Sequence, residues 1–112
     1  MKLREEIIEG VQIVRIDEPR LDATISTALK TELLRLVEQE GAVHLLVDLK
    51  NVEYVDSSGL GALLFGHRQI RINDGKMKLV HLNVKVQTLI RIAHLDNVLE
   101  SFDSEEEALR SF

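Results

Sequence analysis

Two adjacent hydroxyls, Ser57 and Ser58, follow an acid and precede two glycines in the stretch Asp56-Ser57-Ser58-Gly59-Leu60-Gly61. At the entrance of a helix such residues have two chemical uses. Unpaired N–H groups and the positive end of the helix dipole attract an oxygen ligand, so Asp or Ser caps the helix there. The same field partly stabilises a phosphate carried on a serine, which makes that serine a candidate switch. Cap-and-turn is the plainer reading and accounts for the composition by itself. Other chemistries are poorly served. Gly59 and Gly61 form an isolated G-x-G without the remaining glycine and lysine of a phosphate-binding loop. Ser57 lies in no G-x-S-x-G elbow, and no histidine is tied to it by a local motif, which disfavours a hydrolase and points to a non-enzymatic role. His44, His67, His81 and His94 are scattered without an i, i+4 pair, so neither a metal site nor a cofactor is indicated.

The elements that must hold this stretch follow from hydrophobic periodicity. Glu6 to Gly10 and Val11 to Ile16 read as two strands of a hairpin, and Asp17 to Asp22, with the sole proline, as a loop. Ile25, Leu29, Leu33, Leu36 and Val37 recur at helical spacing until Gly41. The run Val43 to Leu49 reads as a buried strand. A second helix runs from about Ser58 to Asn73, with Leu60, Leu63, Leu64, His67 and Ile70 on one face. Met77 to Leu82 forms another strand, and Asn83 caps a third helix with core face Val86, Leu89, Ile90 and Ala93. Leu99 to Phe102 adds a short edge strand. Ser104 with Glu107 has capping-box spacing and opens a last helix holding Ala108, Leu109 and Phe112. The order ββαβαβαβα implies an α/β fold, a mixed sheet of four to five strands with about four helices.

Length and composition bound the remainder. One domain spanning residues 1–112, with 45% hydrophobic residues, can close a single core. Lys2, Arg4, Glu5 and Glu6 interrupt any apolar leader, and no run reaches the ~20 apolar residues of a membrane span, so a cytoplasmic protein is expected. Zero cysteines agree with a reducing compartment. A net charge of −5 argues against direct binding of nucleic acid. His67, Arg68, Arg71, Lys76 and Lys78 form the one basic cluster, read as a solvated helix face and turn.

The longer string from Val47-Asp48-Leu49 through Val55-Asp56-Ser57-Ser58-Gly59-Leu60-Gly61 to Leu63-Leu64 resembles the signature of the anti-sigma factor antagonists, small bacterial proteins of the STAS domain family. The likeness extends to Arg20-Leu21-Asp22-Ala23 and to Lys78-Leu79-Val80-His81-Leu82-Asn83 with Val86, Leu89 and Ile90, and so covers nearly the whole chain. It implies a STAS-like α/β sandwich. It also implies that Ser57, with Ser58 as fallback, is phosphorylated by an anti-sigma factor serine kinase and restored by a serine phosphatase. The unphosphorylated form would bind the kinase and release a sigma factor. The resemblance places Asp22 and Asp56 near Ser57, although either acid can equally be a helix cap. Gly59 and Gly61 would allow close backbone approach by the partner, with helix-to-sheet packing the alternative for Gly61. Leu60 is expected in the core, or as an apolar anchor if it turns outward. STAS domains also serve in signalling scaffolds, transporters and lipid-transport complexes, so a subunit without serine phosphorylation is the rival reading. Oligomeric state is left open, and a monomer is compatible with it.

Overall fold

A computed structural model describes residues 1–112. The chain opens with an antiparallel hairpin of β1 (Leu3–Ile8) and β2 (Val11–Ile16). Glu9 and Gly10 both take positive φ, 52° and 80°, as in the mirror-image turns whose twist suits a hairpin. There follow β3 (Arg20–Leu21), α1 (Ser26–Glu38), β4 (His44–Asp48), β5 (Tyr54–Val55), α2 (Ser57–Ile72), β6 (Lys76–Val80), α3 (Val84–Ile92), β7 (Ser101–Phe102) and α4 (Glu105–Arg110). The main sheet has the order β1-β2-β4-β6-β7, antiparallel between β1 and β2 and parallel elsewhere. This is the mixed α/β sheet that the alternating pattern predicts.

Strands β3 and β5 are additional to that pattern. They form a separate parallel pair, with Arg20 opposite Tyr54 and Leu21 opposite Val55. Two residues are too few for a periodicity to register, which is why β3 reads as loop in the sequence.

Successive strand residues face opposite sides of the sheet, and here both sides are covered. Val14, Leu45, Val47, Met77 and Leu79 face a large core with Leu29 and Leu33 of α1, Leu63 and Ile70 of α2, and Val86 and Ile90 of α3. Ile13, Leu46 and Val80 face a smaller cluster closed by Ala108, with Leu109 and Phe112 packed on it. Gly66 lets α1 and α2 approach, since a Cβ there would lie 2.6 Å from Leu33 Cδ1.

Two sequence expectations fail on packing. Ala93 is exposed because α3 ends at Ile92, before the next core position comes round. Lys78 is buried rather than solvated, on the face of the sheet covered by the C-terminal segment. Its Nζ donates to Ser111 O at 2.9 Å and to Ser111 Oγ at 3.0 Å, with the ring of Phe112 5.1 Å away. No helix is long and apolar enough to cross a membrane.

Asp48, 5% exposed at the end of β4, is the polar hub of the sheet. Its carboxylate accepts from Arg15 Nη1 at 2.8 Å, His81 Nδ1 at 2.9 Å and the Lys50 N–H at 2.9 Å. Arg15 also reaches Glu105 Oε1 at 2.7 Å, which ties α4 to the strands. Burial alone raises the Asp48 carboxyl, but hydrogen bonds from His81, the Lys50 N–H and Arg15 outweigh it and hold it below the usual carboxylate range. A carboxylate depressed in this way stabilises the fold above its unfolded pKa of ~3.9 and loses that contribution as pH falls through the folded value. Asp17 is likewise lowered, to about 2, by Arg4 and Asn51. Thermal melts across the acid range should therefore show stability level near neutrality and falling below pH ~4. Asp48→Asn should cost about 1–3 kcal/mol at pH 7 and flatten part of the acid slope. Identical slopes for variant and parent would show that Asp48 titrates like a free carboxyl.

Candidate functional site

Ser57 owes its position to three backbone restraints on the segment before it. Pro19 O accepts from the N–H of Glu53 at 2.8 Å and of Tyr54 at 3.2 Å, which brings β5 alongside β3. Leu21 O accepts from the Asp56 N–H at 3.1 Å. Asn83 supplies the third restraint: its Nδ2 donates to Glu53 O at 3.0 Å while its Oδ1 accepts from the Val86 N–H at 2.9 Å. The cap of α3 thus also pins the loop that delivers the serine.

Asp56 is extended and caps α2, its Oδ1 accepting from the Gly59 N–H at 2.9 Å. Ser57 is therefore the first helical residue. It is exposed, whereas Ser58 is half-buried, and neither hydroxyl is engaged in a hydrogen bond within the chain. A helix-start hydroxyl that the fold does not use is free to be modified or to meet a partner. The macrodipole makes that position the most favourable on α2 for added negative charge.

Asp22 directly follows Leu21 as Asp56 follows Val55, so the parallel register of β3 and β5 sets both acids at the same end of adjacent strands. Asp22 is not the cap of α1, which begins after Ile25 and has no side-chain cap. Instead its Oδ1 accepts from Thr24 Oγ1 at 2.6 Å and from the Thr24 N–H at 3.1 Å, while Arg20 Nε lies 3.3 Å from Oδ2. The Thr24 hydroxyl first, and then the Thr24 N–H and Arg20, hold its carboxyl below the usual range against the opposing effect of desolvation. It is thus an anion at neutral pH, at the same strand end as Asp56. Arg20 in turn stacks over the Tyr54 ring at 4.4 Å, coupling the two strands through their side chains.

The remaining sequence candidates separate. Leu60 is buried in the core and presents no anchor to solvent. Gly59 is buried against β3, since a Cβ there would lie 2.0 Å from Leu21 O. Gly61, for which packing was the alternative, has nothing within 4 Å of an added Cβ. The close-packing role thus belongs to Gly59.

The sequence reading missed the contribution of α3. A groove of about 470 Å³ beside Ser57 is lined by Tyr54, Val55 and Asp56 and by Lys85, Val86, Thr88, Leu89 and Ile92. Ile92 is 70% exposed and Tyr54 42%, so apolar surface flanks the hydroxyl. The available signal was that Val84 and Ile92 are apolar yet lie off the core face set by Val86 and Ile90.

These contacts distinguish the two glycines experimentally. Gly59→Ala should overpack the helix–strand junction and cost about 1–3 kcal/mol, lowering the melting temperature by several degrees. Gly61→Ala should leave stability unchanged or raise it by up to about 1 kcal/mol, as expected for Ala in an open helical position. Calorimetric melts of both variants check this, and equal losses would contradict it.

The STAS domain profile matches residues 2–108. The chain is 28% identical over 109 residues to the anti-sigma F factor antagonist of Paenibacillus polymyxa, covering 97% of this chain and 92% of that one. A solved anti-sigma factor antagonist from Mycobacterium paratuberculosis has TM-score 0.86 at 21% identity, covering 98% of this chain and 92% of the other. The Bacillus cell fate determinant SpoIIAA in its phosphorylated form has TM-score 0.73 at 17% identity, covering 98% of each chain. At these identities the two structures show a likeness of fold. With the profile running from the start of the hairpin into α4, the chain belongs to the STAS domain family, whose members similar to it include anti-sigma factor antagonists.

Proposed function

We propose that this chain is an anti-sigma factor antagonist controlled by phosphorylation of Ser57. Its unphosphorylated form binds an anti-sigma factor serine kinase and so releases a sigma factor. The observation that carries this reading is the exposed, unengaged hydroxyl of Ser57 at the start of α2, beside an apolar groove. The relative named as an anti-sigma F factor antagonist, and the neighbour known in a phosphorylated form, support it.

The physics of the switch follows from that position. The groove and the first turn of α2 offer the partner an apolar surface with the serine at its edge. A phosphate there adds a charge of about −2 next to Asp22 and Asp56. The start of α2 offsets part of this, so the fold tolerates the modification. A docked partner that desolvates the phosphate without supplying a cation loses several kcal/mol, enough to end a micromolar to nanomolar complex. Removal of the phosphate by a serine phosphatase restores the surface. The chain itself contributes no catalytic group; the kinase supplies the chemistry and this protein the acceptor.

Incubation with the cognate anti-sigma factor kinase and Mg-ATP should place one phosphate on Ser57, read by peptide mass spectrometry. Phosphate on Ser58 alone, or none with a kinase that binds, would overturn the assignment. Copurification with a multi-subunit assembly and an unmodified serine would favour a scaffold subunit instead. Ser57→Ala should retain binding, and Ser57→Asp should weaken it in part, because one carboxylate carries about half the charge of a phosphate. Calorimetric titration against the kinase measures both, and full affinity for Ser57→Asp would mean that charge does not control the complex. Asp22→Asn and Asp56→Asn keep an acceptor oxygen and should melt within about 1 kcal/mol of the parent, yet lower phosphorylation or binding at least about tenfold. Normal rates in both would make them structural residues only.

A further inference from the structure

At the far end of α2, 14 residues and ~21 Å along the helix from Ser57, lie two cations that form no ion pair. A cleft of about 360 Å³ is lined there by His67 and Arg71 of α2, Lys76, Met77 and Lys78 of β6, and Asn97 and Glu100 from the segment before β7, with Lys78 Nζ 3.9 Å from Glu100 Oε1. The chain's ion pairs engage Arg4, Arg15, Arg20, Arg35, Lys78, His81 and Arg110. Arg71 and Lys76 are not among them, although the chain carries a net charge of −5. Neither makes an ion pair, although Glu100 lines the same cleft, and both side chains are exposed.

Two further features mark the same cleft. His67 Nδ1 is sealed from solvent and has no hydrogen-bond partner. Burial first, and then the nearby Arg71 and Arg68, push the His67 imidazole below its ordinary range, so the ring sits in a positive field that an anion would relieve. The backbone adds a donor. Strand β7 pairs with β6 only at Leu79 and Val80, the Leu79 N–H donating to Glu100 O at 2.8 Å. In a strand, alternate N–H groups face the same edge, so the Met77 N–H points to that edge beyond the last pair.

The cleft falls in the size range of small-molecule sites, ~300–1,000 Å³, and is larger than an inorganic phosphate requires. Its remaining polar groups favour hydroxyls over a second charge. Asn97 can donate and accept, whereas the Glu100 carboxylate accepts only and would repel another phosphate. We propose that this cleft binds a sugar monophosphate, the phosphate held by Arg71, Lys76 and the Met77 N–H and the hydroxyls by Asn97 and Glu100. This goes beyond the partner-switching role and does not rest on it.

Amide chemical-shift titrations of the full chain with ribose 5-phosphate, inorganic phosphate and ribose separate the sources of affinity. Ribose 5-phosphate should shift Arg71, Lys76, Met77, Asn97 and Val98 at sub-millimolar concentration, at least tenfold more tightly than inorganic phosphate, while ribose alone does nothing. The amides of Ser57 and Leu89 should stay in place. The doubly substituted Arg71→Gln, Lys76→Gln chain should melt like the parent and bind at least tenfold more weakly. Equal affinity for ribose 5-phosphate and inorganic phosphate would overturn the sugar assignment. Absence of shifts at millimolar ribose 5-phosphate, or shifts unchanged by the double substitution, would overturn the site altogether.

Discussion

The carbonyl of Leu21 is the contact on which the serine site turns. It accepts the Asp56 N–H at 3.1 Å, and Gly59 lies so close that a Cβ would reach within 2.0 Å of the same oxygen. The Leu21 side chain is fully buried, so this oxygen is anchored from below by the core. A helix start resting on an anchored carbonyl cannot slide along its axis without losing a hydrogen bond or colliding with the strand. That restraint, rather than the two-residue ladder of β3 and β5, gives Ser57 a fixed place on the surface. Pro19 O and the Asn83 side chain hold the approach to it, so the neighbouring loop and the start of α3 share the same registration.

In the proposed function, holding the backbone tightly while leaving the hydroxyl unengaged would permit a charge switch without refolding. The groups that build the site are N–H, C=O and the Asp56 carboxylate, none of which a phosphate on Ser57 would have to displace. Added charge would then alter what the surface accepts and not how the chain folds. In that reading the acids at the ends of β3 and β5 would reinforce the effect. Asp22 is kept ionised by Thr24 and Arg20.

The polar hub at Asp48 has a different task. It lies at the end of β4, where the sheet hands the chain to the loop leading to β5, and its bond from the Lys50 N–H fixes the first step of that loop. Arg15, His81 and Glu105 extend the hub from β2 across to α4. The small apolar cluster under α4 and the network around Asp48 therefore work together to close the second face of the sheet.

Sequence periodicity determined the long elements, because each buries a continuous stripe or run that recurs at 3.6 or 2 residues. The hairpin at Gly10, the cap at Asn83 and the Ser104 start of α4 are equally local, being settled by residues within a turn of one another. The stretch from Asp56 to Gly61 likewise announced a helix start, while the structure decided that Asp56 caps it and both hydroxyls stay unengaged. Tertiary structure alone decided which glycine packs, since Gly59 and Gly61 differ only in what lies across from them. It also ruled out the helix-cap alternative for Asp22, whose carboxylate accepts from Thr24 instead, and drew Lys78 out of the basic cluster into a site made by Ser111 and Phe112. Pairing of β3 with β5 and the groove under α3 belong to the same class. They join positions some 30 residues apart, such as Leu21 with Val55 and Ser57 with Leu89, and no local pattern carries information about contacts over that separation.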